Sequence, residues 1–262
     1  MPAQANPPVA SAGGSPAQPE YGRRLMVNLL DERAATEPDR EWISVPKTDD
    51  PADGWKPITY AQGAKSVNQL AHKIANFTHH SPVEGDFPTI AFIGPNDIRY
   101  LVFVLAAVKT GYKALLISPK NSQEGQLNLF ELTHCRCICF DESYSTSVQQ
   151  WLMERDMPAM MQAPLSRWFP DHDVPHFPYN KTFDEAKWDP FFVLHTSGST
   201  GFPKPIVQRE GMLALTDKFR SVPTKDGRKW ACVEMANQTK KILVPSEFVG
   251  PKERTSLGKV SC

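Results

Sequence analysis

The chain has little of several things that would mark it quickly. Its 262 residues carry only five cysteines, an odd number with no framework spacing. That excludes a disulfide scaffold and suits a reducing compartment, so a cytoplasmic setting is expected. Charge of one sign is not in excess: 29 Lys and Arg stand against 29 Asp and Glu. No global field is left to draw nucleic acid or an anionic membrane, and neither is expected as a partner. The longest apolar stretch, Tyr100 to Val108, is far short of the ~20 residues that span a bilayer. The first residues have neither the basic start nor the apolar core of a signal peptide.

Two common motifs are also missing. A P-loop places its lysine directly after the second glycine and then runs into a helix. Here Lys204 is separated from Gly201 by Phe202 and Pro203, and Ile206-Val207 after it reads as strand. A nucleophile elbow needs G-x-S-x-G, and Gly198-Ser199-Thr200-Gly201 is one residue short.

What is present is His195-Thr196-Ser197-Gly198-Ser199-Thr200-Gly201-Phe202-Pro203-Lys204, led in by the apolar run Phe191 to Leu194. Gly198 and Gly201 admit backbone angles that aim successive N–H groups at one point. The hydroxyls of Thr196, Ser197, Ser199 and Thr200 can donate to phosphate oxygens, and Lys204 adds a compact positive charge. Ser/Gly/Thr-rich stretches are commonly solvated linkers. A strand leading in and a Pro-Lys closing at a fixed offset favour an anion cradle instead. Phe191–Leu194 and Ile206–Val207 are therefore expected to be adjacent strands joined by an exposed loop.

The rest of the chain divides into three. Residues 1–22, rich in Pro, Ala, Gly and Ser, have almost nothing to bury and are expected to be disordered. Residues 23–222 form the folded domain, and 223–262 a divergent, poorly ordered tail. Leu25, Leu29 and Leu30 before Pro38 predict a short helix, and Trp42 to Val45 a strand. Asp49 to Pro57 reads as a loop. Thr59 and Gln62 then form a capping box for a helix whose face is Val67, Leu70, Ala71, Ile74 and Phe77. His79 and His80 beyond it read as solvated.

Thr89 to Ile93 is a buried strand, followed by a helix capped by Asn96 or Asp97, apolar nearly all round, and closed by Lys109 and Gly111. With the strand Ala114 to Ile117 this is a βαβ crossover, and hence a parallel sheet. Asn121 with Glu124 caps the next helix. In His134-Cys135-Arg136-Cys137-Ile138-Cys139, period two places the three thiols on one face of a strand, and the spacing is wrong for a chelate. Tyr144 to Glu154 reads as helix and Met157 to Pro178 as an unpatterned loop. His172 and His176 beside Asp171 and Asp173 admit a metal reading, but a solvated loop is favoured and no metal site is expected. A last helix carries Met212, Leu213, Leu215 and Phe219.

On these residues the chain resembles the adenylate-forming (AMP-binding) superfamily. "HTSGSTGFPKP" is similar to its phosphate-loop signature, ten ordered positions with little degeneracy. Pro205 stands where the family usually has glycine. His195 makes the variant more like the fungal peptide-synthetase-like adenylate-forming reductases. Thr59-Tyr60 leading to Leu70-Ala71 is similar to the first core motif, and Val108 to Ser122 to the second.

The resemblance implies an α/β fold, a parallel-rich sheet with flanking helices, as the N-terminal subdomain of that enzyme fold. It implies ATP and Mg²⁺ as cofactors and activation of a small-molecule carboxylic acid to an acyl-adenylate. Thr196, Ser197, Gly198, Ser199, Thr200, Gly201 and Lys204 would grip the triphosphate. Lys204 would be the catalytic residue that neutralises it, and the family admits a carrier-protein domain as partner, expected to be absent from this chain. After Pro223 the adenine-binding segment, the Thr-Gly-Asp ribose site, the hinge and the late catalytic lysine have no visible counterpart. Three readings follow: a partial adenylating ligase or reductase domain, a non-catalytic phosphate- or nucleotide-binding fragment, and an inactive product of a truncated or mis-spliced gene. Whether the chain is itself an enzyme stays open at this point. Weak, base-indifferent binding of triphosphates and no useful acid adenylation are expected of it alone.

Overall fold

The computed structural model describes residues 21–48, 50–78, 85–196, 202–218, 230–234 and 241–245. In chain order the elements are α1 (Met26–Thr36), β1 (Glu41–Pro46), β2 (Trp55–Thr59), α2 (Tyr60–Thr78), β3 (Thr89–Ile93) and α3 (Arg99–Lys109). There follow β4 (Lys113–Leu116), α4 (Gln123–Leu132), β5 (Cys135–Asp141), α5 (Ser145–Glu154), β6 (Ala159–Gln162) and α6 (Phe183–Ala186). The chain then runs through β7 (Pro190–Thr196), β8 (Lys204–Arg209), α7 (Glu210–Lys218), β9 (Trp230–Glu234) and β10 (Lys241–Pro245).

Six strands form one sheet in the order β6-β5-β3-β4-β7-β8, parallel throughout except for the last pair. This is the expected α/β, parallel-rich architecture. β3 is buried at every position, as a central strand covered on both faces must be. Its side chains alternate between two cores. Ile90 and Phe92 join α1, α2 and α3 through Leu30, Leu70 and Phe103; Ala91 and Ile93 join α4 and α5 through Phe130 and Trp151. Phe92 stacks on Phe103 with centroids 4.8 Å apart. Each such ring contributes about 1.5–3 kcal/mol by leaving water.

Local signals set the element ends. Thr59 accepts from the Gln62 N–H at 3.3 Å while Gln62 Oε1 accepts from the Thr59 N–H at 3.0 Å, the reciprocal capping box. Ile98 stands at the cap position of α3 and offers no side-chain bond, but Asp97 before it accepts from the Arg99 N–H at 2.9 Å. Gly111 takes φ +80° just past the helix, where a Cβ would be strained.

Several expectations are corrected. The stretch Asp49 to Pro57 is not all loop: β2 begins at Trp55 and pairs antiparallel with β1. Met157 to Pro178 contains β6, a parallel edge strand on β5. The cap of α4 is Ser122, whose hydroxyl accepts from the Gly125 N–H; Asn121 is used elsewhere. Lys109 does not serve a helix terminus in solvent. It is buried, and its ammonium meets Asp31 at 2.7 Å and Asn68 at 2.7 Å.

The three thiols are buried as expected, but not on one face. Thr89 pairs with Cys135 and Ile90 with Cys137, so Arg136 is skipped by a bulge. Cys135 therefore packs in the α4–α5 core, while Cys137 and Cys139 pack in the other. Burial pushes the Cys135 and Cys137 thiols up to about 12, which makes them inert hydrophobes.

The sequence-predicted tail 1–22 lies outside the described residues up to position 20, as do His79, His80 and Phe219. Tyr21 and Gly22 are described, and the Gly22 N–H donates to Asp217 on α7 at 3.1 Å. In 223–262 the described residues are β9 and β10, an antiparallel pair.

Candidate functional site

The loops that leave β3 and β4 turn to opposite faces of the sheet, one into α3 and the other into α4. In an open parallel sheet that divergence leaves a crevice at the carboxyl ends of the strands. Tyr100 pins its two sides. Its hydroxyl is 3.1 Å from the Gly94 carbonyl and 3.3 Å from that of Ile117, and it accepts from the Gly94 N–H at 3.3 Å. Arg99, only 4% exposed, anchors the same end by binding Asp97 through Nε and Nη2 and Asp141 through Nη1.

β7 ends beside this crevice and turns back antiparallel as β8, with Thr196 opposite Lys204 and His195 opposite Pro205. The two strands expected around the hydroxyl-rich loop are thus adjacent. Thr196 and Lys204 stand at its two ends, both exposed. Ser197, Gly198, Ser199, Thr200 and Gly201, the middle of the predicted cradle, lie outside the described residues. Pro203 is buried against α4: a Cβ on Gly125 would come 2.9 Å from Pro203 Cδ and 3.0 Å from Ser122 Oγ. Gly125 lets the first turn of α4 approach the loop that closely.

His195 is half-buried, with Nε2 accepting from the Ser118 backbone N–H at 3.3 Å. The proton of the neutral ring is therefore on Nδ1. Burial moves its pKa below the usual imidazole value, against an opposing hydrogen bond with the Thr196 backbone. Asn121 Nδ2 lies 3.3 Å from the same ring nitrogen and donates to Gln126 Oε1 at 2.9 Å. Gln126 is fully buried, and its Nε2 has no acceptor among the described residues. The exposed donors at the two ends of the loop, Thr196 and Lys204, suit an anion. The carboxylates at this end, Asp97 and Asp141, are both held by Arg99.

The metal reading of the 171–176 stretch does not assemble into a cluster. His176 Nε2 is 3.1 Å from Asp31, Asp173 pairs with Lys65 at 2.8 Å, and His172 is 3.9 Å from Asp171. Among the described residues, no three His, Cys, Asp or Glu side chains converge on one point. Sequence reasoning missed Ser118, Gln126 and the Arg99 anchor. The only signal for them was their place in the stretches that follow β3 and β4.

Residues 30–239 match the family described as "AMP-binding enzyme", and the chain belongs to that family. The match passes beyond Pro223, the expected end of the resemblance. A Neurospora crassa protein named carboxylic acid reductase is 55% identical over 228 residues, 87% of this chain and 22% of the relative. An Aspergillus fumigatus isocyanide synthase–NRPS hybrid, crmA, is 36% identical over 219 residues, 82% of this chain and 14% of the relative. The chain thus spans about a fifth or less of the curated relatives' length.

Among solved structures, acetoacetyl-CoA synthetase from Streptomyces lividans superposes with a TM-score of 0.59 at 20% identity, over 77% of this chain and 33% of that one. Fatty acyl-adenylate ligase from L. pneumophila, in complex with acyl adenylate and pyrophosphate, gives 0.55 at 14%, over 75% and 32%. The fold is that of the N-terminal part of adenylate-forming enzymes. Enzymes of this family use ATP and Mg²⁺ and act on small-molecule carboxylic acids. Among the described residues no helix is long and apolar enough to cross a membrane.

Proposed function

We propose that this chain supplies the phosphate-gripping part of an enzyme that activates a carboxylic acid with ATP as an acyl-adenylate. The observation that carries the reading is the β7–β8 hairpin. It brackets the hydroxyl- and glycine-rich loop with Thr196 and Lys204 and projects from the carboxyl end of a parallel sheet beside its switch crevice. Thr196, Ser197, Gly198, Ser199, Thr200, Gly201 and Lys204 hold the triphosphate, and Lys204 neutralises charge that develops on the departing pyrophosphate. His195, kept neutral by burial, positions the Ser118–Asn121 stretch against the loop. Mg²⁺ bound with the nucleotide would add to the neutralisation of phosphate charge that Lys204 supplies. The acid belongs to the substrates of a carboxylic acid reductase-like enzyme, with a carrier-protein domain as partner. The buried, free thiols fit a cytoplasmic setting.

Large apolar side chains are exposed along one margin: Leu194, Phe202, Ile206, Val207, Met212 and Leu215. In the longer protein this margin is covered by the rest of the adenylating domain. The grip proposed for these residues is on phosphate alone. Titration calorimetry with ATP, GTP and tripolyphosphate tests this. Equal affinities of about millimolar or weaker, lowered by salt and lost in Lys204→Ala, are expected. ATP–pyrophosphate exchange over a panel of acids should stay at background. Robust acid-dependent exchange, or adenine-selective binding that survives loss of Lys204, would instead place a complete catalytic site in this chain.

A further inference from the structure

At the opposite end of the sheet, where β4 and β7 begin and β8 ends, there is a cleft of about 210 Å³. Its walls include Phe87, Tyr112, Tyr179, Lys181, Asp189 and Glu210. Glu210 opens α7 and is 1% exposed, yet neither carboxyl oxygen has a hydrogen-bond partner among the described residues. A buried carboxyl without a donor loses its hydration and gains nothing in exchange. The two cations on the cleft wall are already engaged. Lys181 lies 2.6 Å from Asp189 and 5.0 Å from the centre of the Phe87 ring, and Lys109 is turned to Asp31 and Asn68. The cleft therefore holds one acid more than its own bases answer.

We propose that this cleft binds a small organic cation, a primary ammonium, whose charge is received by Glu210 and whose carbon body lies against Tyr112 and Tyr179. The chemistry follows from the lining. A carboxylate with two free oxygens accepts from an ammonium with three donors. Aromatic walls add attraction for a cation and shelter its alkyl part. The position of Glu210 at the positive end of the α7 dipole helps to hold the carboxylate once a cation is present. This cleft is separated from the β7–β8 loop by the length of the sheet, so the assignment does not depend on the adenylating reading.

Binding must depend on pH in a defined direction. Burial first, then the neighbouring Asp189, push the Glu210 carboxyl up to about 8, while Lys181 opposes them. Lys109, Tyr112 and Tyr179 are the other titratable groups facing the cleft. An alkylammonium stays charged to about pH 10, so the acid alone titrates between pH 6 and 9. The cation binds the ionised form and tightens as pH rises.

The test is titration of the full chain with n-propylammonium chloride at pH 6 and pH 9, read by amide chemical shifts and by melting temperature. n-Propanol and potassium chloride are the controls. Saturable shifts at Gly111 and Tyr112 are expected at pH 9, with affinity about tenfold or more weaker at pH 6. Neither control should reproduce them, and Glu210→Gln should remove them. If that variant does not fold, the wild-type pH comparison alone decides. A response to n-propanol equal to that of the amine, equal affinities at both pH values, or no saturable shift at either would overturn the proposal.

Discussion

The backbone N–H of Ser118 donates to Nε2 of His195, tying the end of β4 to the end of β7 across their parallel pairing. Because the bond needs a lone pair on Nε2, only the neutral ring can make it. His195→Ala should lower stability by about 0.5–1.5 kcal/mol near pH 8. The imidazole pKa is lowered in the fold, so its stabilisation is present above about pH 6.5 and is lost as pH falls. The gap between wild type and variant, measured by urea melts, should therefore shrink toward pH 5.

Gly125 is where α4 meets the loop. Alanine in a helix interior normally gains about 1 kcal/mol over glycine. Here the added Cβ would sit 2.9 Å from the ring of Pro203, and such overpacking costs about 1–3 kcal/mol. Gly125→Ala should come out neutral to destabilising by ~2 kcal/mol. It should also weaken tripolyphosphate binding several-fold, because Pro203 leads directly into Lys204. A clear rise in melting temperature with binding intact would show that the contact is not made.

Arg99 is buried between Asp97 and Asp141. Removing it in Arg99→Ala leaves two part-buried carboxylates facing each other, a loss of about 3–5 kcal/mol. The triple change Arg99→Met, Asp97→Asn, Asp141→Asn should recover part of that loss. Thermal denaturation of the set checks this: a triple variant that melts no higher than the single one would show that the unpaired carboxylates are not the cause.

The margin of β8 and α7 exposes apolar side chains, and β8 is an edge strand among the described residues. Unpaired edges template association. The isolated chain should self-associate as its concentration rises, and Val207→Lys should reduce this without lowering stability by more than about 0.5 kcal/mol. Sedimentation velocity at two concentrations reads both states.

For Glu210, the folded-state pKa of about 8 lies above the ordinary carboxyl value. The native state holds its proton more tightly than the unfolded chain does. Its contribution is full below about pH 4.3 and is lost as pH rises toward 8, with a slope of up to about 1.4 kcal/mol per pH unit. Glu210→Gln should flatten stability over pH 5–8 and be more stable than wild type at pH 8.5. A parallel pH profile in the two proteins would contradict the buried titration.

The sequence by itself determined what depends on short-range pattern. The alternation of buried runs with caps set β3, α3 and β4, because a parallel pair needs a helical crossover. The Thr59–Gln62 box fixed the start of α2 through bonds made within one turn. The strand, glycines, hydroxyls and Pro-Lys set the β7–β8 hairpin.

Tertiary structure alone decided what depends on partners far along the chain. Arg136 is skipped only because Thr89 and Ile90 impose a register on β5, which sends Cys135 to the other core. Lys109 looks like a helix-end cation until Asp31 and Asn68 close over it. β2 and β6 read as loops because each strand is defined by the neighbour it pairs with, not by its own composition. The isolation of Glu210 is of the same kind: a carboxyl is unremarked in a sequence and becomes chemically distinct only when the fold removes both water and donors from it.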